Sequence, residues 1–320
     1  IAERIARTSS FRLTLLAVLS AMVVGAFIIV LSDINKLQNG DILGAIKTVG
    51  SAYWALVVGS VGSLRAISAT INSATPLILC GLSVAVAFKA GLFNIGATGQ
   101  MLAGGMAALW VGFAMDGPGY VQVPLAVLAG ALGGAAYGAI PGILKARTGA
   151  HEVITTIMLN NMAGFLVLWL LKTNLYQRED RTDPISKLVT APGHLPRLFG
   201  FMDDRPDLVA HAGFVVAILA VIVYSWFLNR STTGFEFRAF GMNADAAQYA
   251  GMHTKRLTVM AMMFAGGFAG LAGSDVCSSD LTTHGDGNDG RRCICRFGRL
   301  GRSIGHLWLR ITKFCRQHWL

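Results

Sequence analysis

The feature that most limits what this chain can fold into is a series of apolar blocks near 20 residues long with almost no charge. Blocks of this kind are typical of membrane-spanning α-helices. Only 14% of the 320 residues are charged, against about 25% in a soluble domain. The sequence therefore predicts an all-α, polytopic transmembrane helix bundle, with crossings at 13–31, 76–88, 101–115, 121–144, 153–171, 208–228 and 257–273.

The charges between the blocks predict how the chain is oriented. Basic residues near the chain start (Arg4, Arg7, Arg12) precede the first block, whereas 173–207 holds five basic and six acidic residues. Helical membrane proteins keep basic loops in the cytoplasm. Seven crossings that start inside place both basic connectors there, one with Lys145, Arg147 and His151 and the other with Arg230, Arg238, Lys255 and Arg256. We therefore expect a cytoplasmic N-terminus.

Residues 49–64 leave two alternatives open, because the segment is apolar enough either to cross or to lie at the interface. Counting it as a crossing would put Lys145 and Arg147 outside, unless 76–88 only re-enters the membrane. The charges favour an interfacial helix with Tyr53 and Trp54 at the headgroup level.

Small residues crowd three of the blocks. Membrane helices use such residues to approach each other closely, because lipid supplies no hydrophobic drive for their association. We expect close helix packing at Gly104, Gly105, Gly130, Gly133, Gly134, Gly138, Gly266, Gly267 and Gly270.

The composition changes abruptly at Ser274. Residues 274–281 (SDVCSSDL) match the translation of a common sequencing adapter, and residues 282–320 have the scatter of a shifted reading frame. We therefore divide the chain into a transmembrane domain, 1–273, and a non-native tail, 274–320, which re-sequencing across Ser274 would test. The tail's Cys293, Cys295 and Cys315, with its histidines, lack the paired spacing common in zinc sites, so no metal is predicted.

The stretch 75–100 begins as a membrane helix but is broken by glycines near residues 89–100. It places the amides of Asn94 and Gln100 at about membrane depth, with Lys89 as the main internal basic residue. Irregular backbone inside a bilayer is tolerated where protein or a water-filled path satisfies its polar groups, and broken helices recur around transport pathways. We predict that Asn94, Gly96, Gly99 and Gln100 line a translocation path; the alternative is a surface loop.

The segment between Arg230 and Lys255 has the character of a docking element. It carries Phe235, Phe237 and Phe240 on one side of a turn, and the residues from Asp245 to Tyr249 could form a short helix. An amphipathic helix with exposed aromatics suits a groove in a partner protein. The alternative is a solvated loop that only carries positive charge.

Three motifs resemble bacterial ABC importer permeases of the nucleoside and simple-sugar type, within the branched-chain amino acid and monosaccharide permease superfamily. GLFNIGATGQ ends at Gln100, GAHEVITTIMLNNMA spans 149–163 and TTGFEFRAFGMNADAAQYAGM spans 232–252. Many relatives have Glu where this chain has Thr98. The resemblance adds Asn160 to the path, whereas Asn161 fits a solute contact and a helix contact equally well.

The resemblance also implies partners and a location. Such permeases work in the bacterial inner membrane with a second permease subunit, ATP-binding cassette ATPase subunits and an extracytoplasmic solute-binding protein. It implies a segment that couples the permease to the ATPase, formed by Gly234, Arg238, Gly241, Asn243, Ala246, Ala247, Tyr249 and Gly251.

Two features that the sequence lacks disfavour whole classes of transporter and enzyme. The predicted crossings contain no Asp or Glu, whereas carriers that run on ion gradients usually need intramembrane ionisable groups. The sequence also lacks a G-x-x-x-x-G-K-[ST] phosphate loop, so a separate subunit would hydrolyse ATP. We predict a permease, not an enzyme, that needs no cofactor, binds no nucleic acid and moves an uncharged solute, a nucleoside first. Ribose-like sugars, branched-chain amino acids and a polytopic membrane enzyme are the alternatives.

Overall fold

The computed structural model describes residues 10–32, 41–115, 117–178, 186–187, 208 and 210–279, and the described part is helical without a named strand. Six of its helices are long and apolar enough to span a membrane, so the all-α polytopic prediction is confirmed. In chain order the helices are α1 Ser10–Ser32, α2 Ile42–Val61, α3 Leu64–Lys89, α4 Ala97–Ala114, α5 Gly119–Thr148, α6 Glu152–Leu170, α7 Gly213–Arg230, α8 Thr232–Met242, α9 Ala244–Tyr249 and α10 Thr254–Ser279.

The chain divides into two compact units, Ile1–Thr70 and Ile71–Leu320. In the first unit the Tyr53 hydroxyl donates to Met22 O, which joins α2 to α1. Residues 49–61 belong to α2 and the chain bends before α3 starts at Leu64. Whether this segment spans the membrane or lies at its interface stays a prediction.

Glycines bring α4, α5 and α10 of the second unit into backbone contact. A Cβ added at Gly270 would lie 2.1 Å from Gly130 O, and one at Gly266 would lie 2.3 Å from Gly134 O. At Gly104 the added Cβ would lie 2.4 Å from Gly270 Cα. No side chain fits at these distances, so the helices approach closely only because these residues are glycine. Gly267 differs, since its added Cβ would meet nothing nearer than 3.7 Å.

Helix α4 is not among the six apolar helices, although the sequence predicts a crossing at 101–115. It is surrounded by α5, α6 and α10, and several of its glycines and Gln100 are buried. A helix that faces other helices does not need the apolar surface that lipid requires, so the count of seven crossings stays a prediction.

The antiparallel register of α5 and α10 gathers the basic groups at one end of the second unit. Gly142 lies against Val259 near the start of α10, while Gly138 lies beside Met262 and Gln100. The end of α5, with Lys145 and Arg147, therefore lies at the same end as the beginnings of α4 and α10. Both basic connectors share this basic end, as the sequence predicts.

Helix α10 continues across Ser274 without interruption to Ser279. Ser274, Asp275 and Cys277 are buried, so this helix contains a carboxyl residue beyond the predicted crossing 257–273. Secondary structure therefore does not mark the junction, and the non-native tail stays a prediction. The tail's other cysteines and its histidines lie outside the described residues.

Candidate functional site

Two buried amides meet where the chain breaks between α3 and α4. Asn94 Nδ2 donates to Gln100 Oε1 at 2.9 Å, and Gln100 Nε2 donates back to Asn94 Oδ1 at 3.3 Å. Asn94 Nδ2 also lies 3.3 Å from Ser83 Oγ of α3. Asn94 is 3% exposed and Gln100 is 1% exposed. A buried amide is costly unless it is hydrogen-bonded, and these two satisfy each other.

Asn160 of the neighbouring helix α6 hydrogen-bonds the backbone of the same break. Its Oδ1 accepts from Gly99 N at 2.8 Å, and its Nδ2 donates to Ile95 O at 2.8 Å. Gly99 N belongs to the first turn of α4, where backbone N–H groups have no acceptor within the helix. Asn160 therefore caps α4 from a neighbouring helix. We call the hydrogen-bonded group Ser83, Asn94, Gln100 and Asn160, with Gly96 and Gly99, the amide cluster.

Close packing explains the two glycines of the amide cluster. A Cβ at Gly96 would lie 3.1 Å from Thr156 Cβ, and one at Gly99 would lie 2.9 Å from Asn160 Oδ1. The structure thus brings together all five residues predicted for the path, and the predicted break near 89–100 is confirmed by the ends of α3 and α4. That these residues line a path stays a prediction. Sequence reasoning did not include Ser83 and Thr156, because single hydroxyls within apolar helices carry no signal of their partners.

The amide cluster lies within the depth of the bundle. Gln100 is level with Gly138, which is ten residues before α5 ends at Thr148, or about 15 Å at the helical rise. Lys89, by contrast, is exposed in the last turn of α3. The charge of Lys89 lies where the negative end of the helix dipole favours it. Lys89 is the last residue of the candidate span Leu64–Lys89, so its depth in the membrane stays a prediction.

We expect Asn160→Leu to lower the free energy of unfolding by about 1–3 kcal/mol, because it leaves the buried Gly99 N–H without an acceptor. Asn161→Leu is the matched control, since Asn161 is exposed and its Nδ2 reaches only Ile157 O of its own helix, at 3.3 Å. Thermal unfolding of both variants in detergent measures the difference. Equal losses would contradict the capping role of Asn160.

An ion pair closes the hairpin between α5 and α6 at the basic end. Lys145 Nζ lies 2.5 Å from Glu152 Oε2, and the Glu152 side chain is 7% exposed. Between them Gly149 has φ 72° and ends α5 in the left-handed conformation, which glycine adopts without a steric penalty. The sequence placed both residues at helix ends but gave no sign that they pair.

The segment predicted to couple to an ATPase forms two short helices, α8 and α9, at the same end. Ser231 Oγ caps α8 by accepting from Gly234 N, and Asn243 Oδ1 caps α9 by accepting from Asp245 N and Ala246 N. The predicted short helix from Asp245 to Tyr249 is thus present. Both caps agree with the preference of Ser and Asn for the residue that precedes a helix.

The three phenylalanines of this segment do not share one exposed side, and that prediction is wrong. Phe235 is 57% exposed, but Phe237 is fully buried and stacks edge-on against Phe227 with ring centroids 5.8 Å apart. Phe240 is partly buried against the same core. Aromatic rings contribute large apolar area to a core, so Phe237 fastens α8 to the bundle.

The eight predicted coupling residues separate into two groups. Those that are buried or packed inward hold the segment in place: Gly234, Arg238, Gly241 and Ala247. Those that are exposed form an outer surface: Asn243, Ala246, Tyr249 and Gly251. Tyr249 is 94% exposed and the neighbouring Met242 is 83% exposed, so this outer surface offers two large apolar side chains.

Gly241 brings α8 directly onto the break that carries the amide cluster. A Cβ at Gly241 would lie 2.3 Å from Lys89 O and 3.0 Å from Gly91 N. Gly91 has φ 69° and forms the turn that leaves α3. Phe237 packs in the same core as Val86 and Leu92. The coupling segment and the amide cluster are therefore joined by backbone contact, three residues before Asn94.

A cavity of about 180 Å³ lies between α4 and α6, further from the basic end. Its lining is apolar, and its one hydroxyl, on Tyr176, already donates to Met106 O at 3.2 Å. A polar solute would find no free partner in this lining. The lining residues are Ala103, Met106, Ala107, Ala163, Leu166, Val167, Leu170 and Tyr176.

Comparison with known proteins matches residues 66–280 to the family described as branched-chain amino acid transport system / permease component. The guanosine ABC transporter permease protein NupP of Bacillus subtilis is 40% identical over 84% of this chain and 72% of its own length. The nucleoside ABC transporter permease protein NupB of Lactococcus lactis is 38% identical over 76% of this chain and 69% of its own length. The glucose ABC transporter permease protein TsgB13 of Haloferax volcanii is 32% identical over 81% of this chain and 65% of its own length. No solved structure matches the chain.

Proposed function

Because the chain belongs to the family of branched-chain amino acid transport system permease components, we propose that it is the membrane-spanning subunit of an ATP-driven nucleoside importer. The observation that carries the choice of solute is the 40% identity to a guanosine permease over 84% of the chain. A second relative at 38% identity is also named for nucleosides.

We propose that a separate ATPase subunit docks on the outer surface of α8 and α9. The exposed Tyr249 and Met242 supply apolar area, and large exposed side chains of this kind are typical of the centre of protein interfaces. A second permease subunit and an extracytoplasmic solute-binding protein would complete the importer.

We further propose that the basic end faces the cytoplasm of a bacterial inner membrane, with the N-terminus on that side. The shared location of Lys145, Arg147, Lys255 and Arg256 supports this orientation through the positive-inside rule. The amide cluster then lies in the inner half of the bundle. It supports one wall of the solute path without itself hydrogen-bonding the solute, since Asn94 and Gln100 are buried and paired. ATP-driven closure of the ATPase dimer would move α8 and α9, and the contact of Gly241 with Lys89 and Gly91 would pass that motion to the amide cluster.

A sugar is the second candidate solute, because TsgB13 is named for glucose. Nucleosides and ribose-like sugars share a sugar ring, but only nucleosides carry a nucleobase. Uptake of labelled guanosine, uridine, ribose, glucose and leucine therefore separates the candidates.

We expect cells that express this chain with its cognate ATPase, partner permease and binding protein to import labelled guanosine and uridine. The control is the same assembly with an ATPase that binds but does not hydrolyse ATP, which should import neither. Uptake of glucose, ribose or leucine without nucleoside uptake would overturn the proposed solute. Uptake that persists with the inactive ATPase would overturn the proposed energy source.

A further inference from the structure

We propose that the solute contacts the transmembrane chain at one face of α6, formed by Met158, Asn161, Gly164 and Phe165, and that Asn161 hydrogen-bonds the nucleobase. We call these four residues the α6 face. This inference rests on the proposed function, and it assigns the nucleoside contact to residues other than the amide cluster.

Asn161 lies at the middle of a helix that is long and apolar enough to span a membrane, since α6 runs from Glu152 to Leu170. Asn161 is nevertheless exposed. Its Nδ2 makes a long contact of 3.3 Å to Ile157 O, and within the described part of the chain its Oδ1 accepts no hydrogen bond. Polar groups at the centre of a bilayer are costly when they face lipid, so this face lies against something that can hydrogen-bond.

The neighbouring amides differ from Asn161 in that their hydrogen-bonding atoms are occupied. Asn160 uses both amide atoms to hold the break before α4, and Asn94 and Gln100 are buried and paired with each other. The amide cluster therefore has no polar atom to spare for a passing solute in this conformation. Asn161 does, because its carbonyl oxygen and one of its two amide N–H groups remain open.

The α6 face also has room for a solute beside the amide of Asn161. A Cβ added at Gly164 would meet nothing within 4 Å, and Gly164 lies one turn from Asn161 on the same side of the helix. Phe165 is 74% exposed and Met158 is 65% exposed, so large side chains flank a gap above the amide.

This combination fits a nucleoside better than a tightly packed second helix. Asn amides bind base edges through a donor and an acceptor together, and aromatic rings stack on the faces of bases. Met is flexible and adapts to partners of different shape. Close helix pairs in membranes use a row of small residues, whereas Gly164 stands alone among large side chains on this face.

The test compares Asn161→Leu with the wild-type importer in transport of guanosine and inosine, which differ by one exocyclic amino group on the base. We expect KM for guanosine to rise about tenfold, the effect of one lost hydrogen bond, and the guanosine-to-inosine preference to change. Unchanged KM values and an unchanged preference would overturn the proposal. A smaller fraction of permease subunits assembled in pairs, together with an unchanged guanosine-to-inosine preference, would also overturn the proposal. A contact between subunits would then explain the exposed Asn161.

Gly164→Leu is the second variant, and it fills the gap without meeting any described residue within 4 Å of its Cβ. We expect normal folding and a fall in nucleoside transport of about tenfold or more, whereas Gly81→Leu, also at an open position, should transport normally. Full transport by Gly164→Leu would overturn the proposal. If the wild-type importer moves no nucleoside at all, the proposed function fails. If the wild type transports nucleosides and both variants transport them equally well, only the proposed role of the α6 face fails.

Discussion

A Gly270→Ala variant is expected to be among the most destabilised single-methyl variants of this chain. Its Cβ would lie 2.1 Å from Gly130 O and 3.0 Å from Gly134 Cα. Both neighbours are backbone, which cannot rotate away as a side chain can. Overpacking of a tight core typically costs about 1–3 kcal/mol and occasionally more, and here α5 and α10 would have to separate along their length. Thermal unfolding in detergent and accumulation in the membrane measure the loss.

Gly267→Ala provides the matched control, three residues earlier on the same helix. Its Cβ would meet Ala131 O at 3.7 Å, which is ordinary van der Waals contact. The added methyl should therefore leave the melting temperature near that of the wild type, or raise it slightly, because Ala favours helix over Gly by about 1 kcal/mol. Similar melting temperatures for the two variants would show that the glycine contact between α5 and α10 is not as close as the structure has it.

Gly241→Ala is expected to separate ATP hydrolysis from transport. The added Cβ would lie 2.3 Å from Lys89 O, so α8 would have to move away from the turn at Gly91. The outer surface with Tyr249 does not change, so the ATPase should still dock and hydrolyse ATP. We expect the number of nucleosides imported per ATP to fall about tenfold, which lies within the range of known coupling free energies. Reconstituted vesicles with both activities measured side by side give this ratio.

Gly81→Ala is the control for this variant, because it adds the same methyl to α3 at a position with nothing within 4 Å. If Gly241→Ala fails to accumulate, Phe237→Leu is the substitute variant. The Phe237 ring is fully buried between α3, α7 and α10, so its loss weakens the packing of α8 against the bundle without adding volume. An unchanged transport ratio in whichever variant folds would rule out this contact as the route from the ATPase to the amide cluster.

Local patterns were sufficient for much of this protein. The apolar blocks, the short helix from Asp245 to Tyr249 and the glycine-rich break before Gln100 each depend on a few consecutive residues, and each of these features is present in the structure. The three motifs led to the family for the same reason, because they are short and contiguous. The grouping of basic residues at one end also followed from the sequence, since it depends only on the order of crossings and on where the charges fall.

Other properties depend on which side of a helix a residue faces, and the sequence left these open. Asn160 and Asn161 are adjacent and identical, yet one caps α4 and the other is exposed at the centre of α6. Phe235 and Phe237 stand two residues apart, which on a helix turns them to nearly opposite sides, so one is exposed and the other buried.

The sequence alone determined that this chain is a bundle of membrane helices, where those helices break, and which family it belongs to, because length, hydropathy and short motifs are local properties. Only the tertiary structure decided that Gly241 rests on the turn at Gly91, that Gly267 has room where Gly266 and Gly270 have none, and that Asn160 bonds the break before α4 while Asn161 is exposed. These facts depend on the register between helices far apart in sequence, which is set by backbone contacts that no single helix encodes.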